Sequence, residues 1–287
     1  MLNSDSIISI IIPTFNRAHH IINAISSVID QSFQNWELIV IDDGSTDSTA
    51  QLFKNYKDPR IRYFHQQNAG VSKARNLGAS KAKGNYLLFL DSDDCLKPDL
   101  LQRLENIKYW NYDLICWEVL KLLDGQVSIW KPVRLEKIYN FITATFLAGS
   151  ICYKKEIFEK TGGFDPLLTY GENYELGLRI SQIKNLKIKI LKEPFLIYNL
   201  KSVPGVNANH KNKLDSIQYM YNKHQNLYLS DFVSHARLTY QIGLLKQKAG
   251  NYKEAKQFYK KSLRINPFYL KPLLRIPFLI SMRRLKF

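Results

Sequence analysis

Three carboxylates stand within four positions directly after one apolar segment of the sequence. Residues 86–90 are apolar, and the polar residues that follow them are Asp91, Ser92, Asp93 and Asp94. An apolar run of this kind predicts a strand buried on both faces, and like charges at its end repel one another unless a cation lies among them. Oxygen ligands of this type suit Mg²⁺ or Mn²⁺, which also bind phosphate oxygens. The alternative is an acidic turn that caps a helix opened by Pro98.

Two further polar clusters follow predicted strands. The predicted strand at residues 9–12, Ser-Ile-Ile-Ile, leads into a turn made of Pro13, Thr14, Phe15, Asn16 and Arg17. Residues 38–41 lead into Asp42, Asp43, Gly44 and Ser45. Because ligands bind at the carboxyl ends of the strands in open parallel sheets, one crevice can collect all three clusters.

The segments between these strands have helical periodicity. Apolar residues recur at helical spacing over 21–29, a helix capped by Ser45 or Thr46 is expected to run to about Tyr56, and another is expected over 71–82. A short strand is predicted at 61–64. Alternating strands and helices predict a mostly parallel sheet with helices on both faces.

Composition places the chain among folded globular proteins. Its 287 residues are 45% hydrophobic and 13% aromatic, enough for one large domain or two small ones. The three cysteines form no close pair, which favours a reducing compartment. The apolar residues 7–12 lack a preceding basic segment and are followed by Pro13, so a strand is expected there and not a signal peptide. No apolar run reaches the length of a membrane-spanning helix.

The positive charge is concentrated in the last third of the chain. The net charge is +16, yet residues 1–200 hold 24 Lys and Arg against 22 Asp and Glu, whereas residues 201–287 hold 17 against 3. This asymmetry is typical of a protein whose basic end meets an anionic surface, either membrane lipid or an acidic polymer. A nucleic-acid binder would leave the aspartates at the sheet edge unexplained, so no nucleic-acid partner is expected.

The motifs, taken in order, resemble glycosyltransferase family 2. They are the turn 13–17, the acidic run 42–47, Asn68-Ala69-Gly70 with Ala74-Arg75-Asn76, and the acidic run 91–94. The resemblance covers roughly residues 7–200 and implies a GT-A fold, which is an α/β, Rossmann-like fold. It also implies inverting transfer from a nucleotide diphosphate sugar, expected to be a UDP-sugar, with Mn²⁺ or Mg²⁺ as cofactor. The acceptor would be a hydroxyl of a glycan or a lipid-linked glycan.

The resemblance also assigns roles to individual residues. Residues 13–17 (Pro13, Thr14, Phe15, Asn16 and Arg17) and Asp43 would hold the nucleoside, and Lys73 and Arg75 would face the nucleotide. Asp91 would lie near the ribose and the metal, and Asp93 would bind the metal. For Arg75 the alternative is an exposed helix residue without a role in binding.

The acceptor-side motif departs from the family pattern. Gly162-Gly163-Phe164-Asp165 and the segment 171–179 resemble that motif, where the family places Glu-Asp and the Asp is the general base. This chain has Glu172-Asn173. An amide cannot accept a proton as a base, so Glu172 or Glu175 serves instead, or the acceptor needs little help, or the site only binds. Glu172 is favoured as base, and the alternative is that it only caps its helix.

A second departure concerns the loop after the strand 195–198. Many relatives have a His there, whereas this chain has the segment 199–205. Lys201 or His210 are the candidates for the missing positive charge. A solvated loop lysine and a surface histidine are the alternatives.

The region 206–287 is predicted to be a basic helical extension. Residues 236–269 have spacings that resemble one tetratricopeptide repeat, a helical hairpin that either packs against its own protein or docks a partner. The tail 268–287 mixes apolar and basic residues and is interrupted by Pro272 and Pro277. It suits either an anionic membrane interface or packing within the protein.

Together these observations predict an α/β GT-A domain over residues 1–205, with a nucleotide-sugar half at 1–110 and an acceptor half at 111–205, followed by the helical region. The predicted protein is a metal-dependent glycosyltransferase that is cytoplasmic, either free or peripheral at the inner face of the membrane. The alternative is a degenerate family member that binds a nucleotide sugar or a protein without turnover. A dinucleotide-binding oxidoreductase is disfavoured because the turn 13–17 has no glycine.

Overall fold

The computed structural model of the chain describes residues 7–54, 56–200 and 210–275. The chain forms two compact units. The first comprises Met1–Arg134, Ile142–Pro166 and Glu172–Ser202, and the second comprises Leu135–Phe141, Leu167–Gly171 and Val203–Phe287. Two short segments of the first two hundred residues therefore group with the C-terminal region.

The first unit contains a large sheet and its flanking helices. Its strands are β1 (Ile8–Thr14), β2 (Trp36–Asp42), β3 (Ile61–His65), β4 (Tyr86–Phe89), β5 (Cys95–Leu96), β6 (Leu114–Leu123), β7 (Gln126–Trp130), β8 (Val133–Arg134), β9 (Thr143–Ala144), β10 (Ile151–Lys154) and β11 (Ile188–Leu200). Its helices are α1 (Ala18–Ile29), α2 (Thr49–Phe53), α3 (Val71–Lys81), α4 (Leu100–Asn106), α5 (Lys155–Lys160) and α6 (Glu172–Ser181). A short 3₁₀ helix lies at Tyr109–Asn111.

The sheet is mostly parallel, and its strand order is β3-β2-β1-β4-β10-β6-β11-β5, with β7 paired to β6. The first four strands in this order are parallel to one another. Strand β10 is antiparallel to both β4 and β6, and β11 is parallel to β6. Strand β6 is antiparallel to β10, which is itself antiparallel to β4, so β6 and its parallel neighbour β11 run in the same direction as β4. The carboxyl ends of β1, β2, β4, β6 and β11 therefore share one edge of the sheet.

Both faces of the central strands are buried beneath helices. All seven residues of β1 and all seven of β2 are buried, as expected for strands in the middle of a parallel sheet. The even-numbered Ile8, Ile10 and Ile12 pack in a core with Ile21 and Ile25 of α1. On the other face, Gly78 of α3 lies against Ile11 and Ile41. Alternate residues of each strand point to opposite faces of the sheet, so each face packs against its own layer of helices.

Helix α2 is shorter than its sequence predicted. It begins at Thr49 and ends at Phe53, whereas the expected helix ran from Ser45 or Thr46 to about Tyr56. The backbone N–H of Ser45 donates to Asp42 Oδ1 at 2.8 Å, and that of Thr46 donates to Asn16 Oδ1 at 2.8 Å. These bonds hold both residues in the loop after β2, where they cannot start a helix.

The second unit is helical in its described part. It contains α7 (His210–Lys223), α8 (Gln225–Ser230), α9 (Phe232–Lys248) and α10 (Tyr252–Ile265), and a 3₁₀ helix at Lys137–Tyr139. Helices α9 and α10 form the hairpin that the sequence predicted near 236–269. A Cβ at Gly243 would lie 2.6 Å from the buried Tyr259 ring, so the helices approach closely there. Across the described residues, no helix combines the length and the apolar character that spanning a bilayer requires.

Replacing Gly78 with Ala should destabilise the first unit. The added Cβ would stand 2.3 Å from Ile11 Cγ2, and a β-branched side chain in a packed strand cannot move away freely. Overpacking of this kind costs about 1–3 kcal/mol of unfolding free energy. All four tryptophans of the chain precede residue 135, so urea unfolding followed by tryptophan fluorescence reports on this unit.

The matched control for that variant is Ser80→Ala, an exposed position on the same helix. It should leave the urea midpoint nearly unchanged. Equal midpoints for Gly78→Ala and Ser80→Ala would contradict the close packing of α3 against β1.

Candidate active site

The turn after β1 and the loop after β2 are hydrogen-bonded to each other. The backbone N–H of Asn16 donates to Ser45 Oγ at 2.9 Å, and the N–H of Ala18 donates to Asp47 Oδ2 at 3.1 Å. Asn16 has a φ of 53°, a left-handed conformation that asparagine tolerates better than most residues. Pro13 and Thr14 are buried, whereas the side chains of Phe15 and Arg17 are exposed beside this loop. The two predicted nucleoside-binding segments thus form one surface.

Asp43 connects the end of β2 to the loop before α3. Its Oδ1 accepts hydrogen bonds from Gln66 Nε2 at 2.6 Å and from the N–H of Ala69 at 2.8 Å, and its Oδ2 accepts from the N–H of Gly70 at 2.8 Å. A carboxylate oxygen has two acceptor positions, so Oδ2 retains one beyond this bond. The carboxylate is therefore oriented by the protein. Lys73 lies on the exposed side of the first turn of α3.

Arg75 joins two predicted site residues that are far apart in the sequence. Its guanidinium donates from Nη2 to Asp91 Oδ1 at 2.6 Å and from Nη1 to Glu172 Oε1 at 3.0 Å. The side chain is only 2% exposed, so it is not the surface residue that the alternative interpretation required. Burial alone would lower the pKa of Arg75, but the charges of Asp91 and Glu172 raise it above its ordinary value. Arg75 stays charged and holds both carboxylates.

The neighbouring Asn76 fixes the turn that leads to the acceptor-side motif. Its side-chain amide donates to the Phe164 carbonyl at 2.8 Å and accepts from the Phe164 N–H at 2.9 Å. Phe164 in turn lies 5.1 Å from the Arg75 guanidinium, measured from Cζ to the ring centroid. Gly163 has a φ of +69°, and a Cβ there would lie 2.7 Å from Asn76 Oδ1. The Arg75-Asn76 pair therefore requires a glycine at position 163.

Glu175 has a structural role. Its fully buried carboxylate pairs with Arg179, with the shortest N–O distance 2.6 Å. Arg179 also donates from Nη2 to the carbonyl of Gly163 at 2.6 Å. This carboxylate is neutralised inside the protein, which leaves Glu172 as the candidate base at the start of α6.

The Glu172 carboxylate bonds to side chains. Besides its bond from Arg75, Oε1 accepts a hydrogen bond from Asn173 Nδ2 at 3.3 Å. Asn173, which the resemblance aligns with the general-base Asp, thus donates to the adjacent carboxylate. Glu172 is mostly buried yet retains some exposure at the start of its helix.

The acidic loop after β4 is anchored to β11. Asp93 is exposed, and its carbonyl accepts from Asn199 Nδ2 at 3.2 Å, while Asp94 Oδ1 accepts from the Asn199 N–H at 3.1 Å. Burial, together with the charges of Asp91 and Asp93, raises the pKa of Asp94 to about 9. Burial and the same three carboxylates raise the pKa of Tyr198 to about 12. Carboxylates are thus crowded at the edge of the sheet.

The donor set of this loop fits a hard divalent cation. Asp94 Oδ2 is buried without a hydrogen-bond partner, and a positive charge nearby would relieve the repulsion among the three carboxylates. Across residues 7–54, 56–200 and 210–275, no group of three or more His, Cys, Asp or Glu side chains is arranged to hold a metal. Metal binding by Asp91 and Asp93 therefore stays a prediction.

Two candidates from the sequence cannot be placed. Lys201 and the side chain of His210 lie outside the described residues. Two other residues, Asn76 and Asn199, hold the site together without having been predicted to do so. Asn76 stands inside a recognised motif, which was a usable signal, whereas nothing in the sequence around Asn199 marked it.

The chain matches two known protein families. The sequence model of "Glycosyl transferase family 2" matches residues 9–163, which is more than half of the chain. The chain belongs to glycosyltransferase family 2. A tetratricopeptide repeat model matches residues 236–269, so the predicted hairpin is confirmed. The family match includes the three loops after β1, β2 and β4 and stops before Glu172 and Asn173.

Family relatives include proteins described as uncharacterized glycosyltransferases. One from Haemophilus influenzae is 43% identical over 48% of this chain and 56% of its own length. Another, from Rickettsia felis, is 48% identical over 34% of this chain. The matched segment spans only 16% of the Rickettsia felis protein, so this chain corresponds to a small part of that relative.

Solved structures with a similar architecture confirm the fold. A crystal structure of Staphylococcus aureus TarS residues 1–349 in complex with UDP-GlcNAc has a TM-score of 0.66 and 17% identity, and the match covers 90% of this chain and 81% of that one. Another, of TarS 1–349 alone, has a TM-score of 0.61. At this identity the likeness concerns the fold, which is the predicted GT-A architecture with C-terminal helices.

Replacing Arg75 with Met should destabilise the first unit, because two carboxylates would lose their shared buried cation. Removing one partner of a buried ion pair costs about 3–5 kcal/mol, and the partial exposure of Asp91 favours the lower figure. Urea unfolding measures the change. The control is Arg103→Met, because the Arg103–Glu193 pair is about half exposed on both sides and should contribute less than about 1 kcal/mol. Equal losses of unfolding free energy in Arg75→Met and Arg103→Met would contradict a special role for Arg75.

Proposed function

We propose that this protein is an inverting, metal-dependent hexosyltransferase that uses a UDP-sugar and glycosylates a hydroxyl of a glycan or lipid-linked acceptor. The observation that carries the proposal is the bridge of Arg75 between Asp91, which follows β4, and Glu172, which begins α6. It connects the predicted donor side to the predicted acceptor side through one buried contact. Family membership supports glycosyl transfer, and the bound UDP-GlcNAc of the TarS structure supports a UDP-sugar.

The nucleoside would bind at the joined loops after β1 and β2. Asp43 is held by Gln66, Ala69 and Gly70 and retains an acceptor position for a base or ribose donor. Residues 13–17 would supply the opposite wall, where the exposed Phe15 ring offers a flat apolar surface. Lys73 and Arg75 would add positive charge toward the diphosphate.

A divalent cation at Asp91 and Asp93 would supply charge neutralisation for the leaving diphosphate. The protein contributes the placement of the two carboxylates. Asp91 is fixed by Arg75, and Asp93 is fixed through its carbonyl by Asn199. Mn²⁺ and Mg²⁺ both suit these oxygen ligands.

Transfer would proceed in one displacement. The oxygen of an acceptor hydroxyl forms a bond to the anomeric carbon of the donor sugar while the bond from that carbon to the diphosphate oxygen breaks. The UDP leaves with the electron pair, and the hydroxyl proton passes to a carboxylate. Glu172 is that carboxylate, because Glu175 is buried in its pair with Arg179. Attack from the face opposite the leaving group inverts the anomeric centre.

The second candidate function is nucleotide-sugar or protein binding without turnover. One observation favours it, namely that Asn173 stands where the family has its general base. In that case Glu172 would serve only as an ion-pair partner of Arg75.

The basic C-terminal region suggests where the protein works. Residues 201–287 hold 17 Lys and Arg against 3 Asp and Glu, an excess that would attract anionic lipid headgroups at about 1 kcal/mol for each basic residue near the surface. We infer peripheral association with the cytoplasmic face of a membrane, where a lipid-linked acceptor would be available.

Thermal stabilisation by a panel of nucleotide diphosphate sugars, with and without Mn²⁺, tests the donor and the metal. We expect a UDP-sugar to raise the melting temperature, more so with Mn²⁺, and to be hydrolysed slowly. Asp93→Asn should lose the Mn²⁺-dependent stabilisation and lower turnover by about 100-fold or more, because an amide cannot replace the anionic ligand. Asp30→Asn, which changes an exposed aspartate at the end of α1, is the control. No stabilisation of the wild type by any sugar nucleotide would refute the proposal.

Separate substitutions at positions 172 and 173 test which residue acts as the general base. Glu172→Gln should lower kcat for UDP release by about 100-fold or more while the donor KM changes little, because the amide cannot accept the proton but can still accept a hydrogen bond from Arg75 through its oxygen. Asn173→Asp should have a small effect if Glu172 already serves. A Glu172→Gln variant that turns over at the wild-type rate would rule Glu172 out. A large gain in Asn173→Asp would show that the native residue limits catalysis.

A further inference from the structure

We propose that Trp130, Tyr198 and Lys121 form a subsite for a neutral pyranose ring of the acceptor. We call this group the aromatic platform. The inference rests on the proposed function, since it names where the acceptor sugar binds and which chemistry recognises it.

The three side chains stand on one face of the sheet. In the pairing of β6 with its neighbours, Lys121 lies opposite Tyr198 of β11 and Ser128 of β7, and Val119 lies opposite Trp130. The Trp130 and Tyr198 rings are 6.3 Å apart between centroids and 16° from parallel. The Lys121 ammonium nitrogen lies 5.6 Å from the Trp130 ring centroid. The result is a nearly parallel aromatic pair with the Lys121 ammonium over the Trp130 ring.

The exposure of Trp130 sets it apart from the buried tryptophans. Trp36 and Trp117 are almost completely buried, and Trp117 Nε1 donates to the Gly149 carbonyl at 2.8 Å. Trp130 is 49% exposed. A large aromatic ring that is held by a neighbouring ring and still open on its surface is suited to a flat ligand.

The aromatic platform adjoins the acidic loop through β11. Tyr198 precedes Asn199, which bonds to Asp93 and Asp94 through its amide groups. The three carboxylates of that loop also act on the Tyr198 hydroxyl. Because β6 and β11 run parallel to β4, the ends of these strands lie at the same sheet edge as Asp91.

The position separates the aromatic platform from the donor loops. Strands β1 and β2 lie on one side of β4 in the sheet, and β10, β6, β11 and β7 lie on the other. The predicted nucleoside surface is on the first side and the aromatic platform on the second, with the acidic loop between them. A sugar on the aromatic platform would therefore approach the acidic loop from the acceptor side.

Charge and shape together select the ligand. A pyranose presents an apolar face of C–H groups and a rim of hydroxyls, which match an indole ring and an ammonium donor. The Lys121 ammonium is balanced by the charges of Asp91 and Asp93, which act on Tyr198, so the aromatic platform has no net positive charge to attract an anionic sugar. The aromatic platform is therefore assigned to a neutral hexose or N-acetylhexosamine.

The test uses the full chain and the four tryptophan indole N–H signals in a ¹⁵N NMR spectrum, with the Trp130 signal assigned by its loss in Trp130→Phe. The probes are the methyl α- and β-pyranosides of glucose, galactose and N-acetylglucosamine at about 100 mM, enough to populate a site of millimolar Kd. We expect at least one probe to shift the Trp130 signal while the signals of buried Trp36 and Trp117 stay in place. Trp130 unmoved by every probe, or all four signals moved alike, overturns the inference.

A kinetic arm with matched variants follows. We expect Trp130→Ala to lower the ratio of pyranoside-dependent to water-dependent UDP release about ten-fold, and Trp130→Phe to lower it less. Ile129→Ala is the control, because Ile129 is also 49% exposed on the same strand but faces the other way, and it should leave the ratio unchanged. Equal effects of Trp130→Ala and Ile129→Ala contradict the subsite. The NMR arm needs no turnover, so a failed subsite is distinguishable from a protein that does not use UDP-sugars.

Discussion

A buried guanidinium between two carboxylates is the contact on which the candidate site depends. Arg75 lies on α3, Asp91 follows β4 and Glu172 begins α6, so one side chain fixes three elements that the sequence separates by up to 97 positions. Such a cation is costly to bury unless both partners are present. The adjacent Asn76 and the glycine at position 163 serve the same arrangement by fixing the turn that carries Phe164 against the guanidinium. The short motifs are therefore parts of one packed unit.

The elements around the central sheet were predictable because their patterns are local. Uniform apolar runs at β1, β2 and β4 gave buried parallel strands, and the polar residues after each run gave the edge where they meet. The bounds of α3 follow from helical spacing between Gly70 and Gly84. The same reasoning overextended α2, because Ser45 and Thr46 read as helix caps until their bonds to Asp42 and Asn16 are known. Local helix propensity contains no information about a hydrogen-bond partner 30 positions away in the sequence.

The partners within the site could not be predicted for a related reason. Motif order indicated that Arg75 matters, but only the fold shows that it faces two carboxylates. Strand β7 was not predicted at all, since it is exposed along its whole length and its hairpin adds to the sheet beyond the motifs. Nothing in the sequence therefore indicated that Trp130 takes part in a site. Glu172 was favoured over Glu175 only for its place at the start of the helix, and their contacts now distinguish them. Glu175 pairs with Arg179 inside the protein, whereas Glu172 bonds to Arg75.

The hydrogen bonds of Asp43 and Asn16 have a consequence for the thermodynamics of ligand binding. Both side chains already make their intramolecular bonds in the free protein, and these bonds order the loops after β1, β2 and β3. A ligand that meets loops in their final conformation does not have to supply the entropy of ordering them, which for flexible segments consumes much of the gross interaction energy. At the proposed nucleoside site, recognition would therefore be rigid, and small differences in base or ribose chemistry would translate directly into affinity. Shape, rather than adaptation, would determine which nucleotides are accepted.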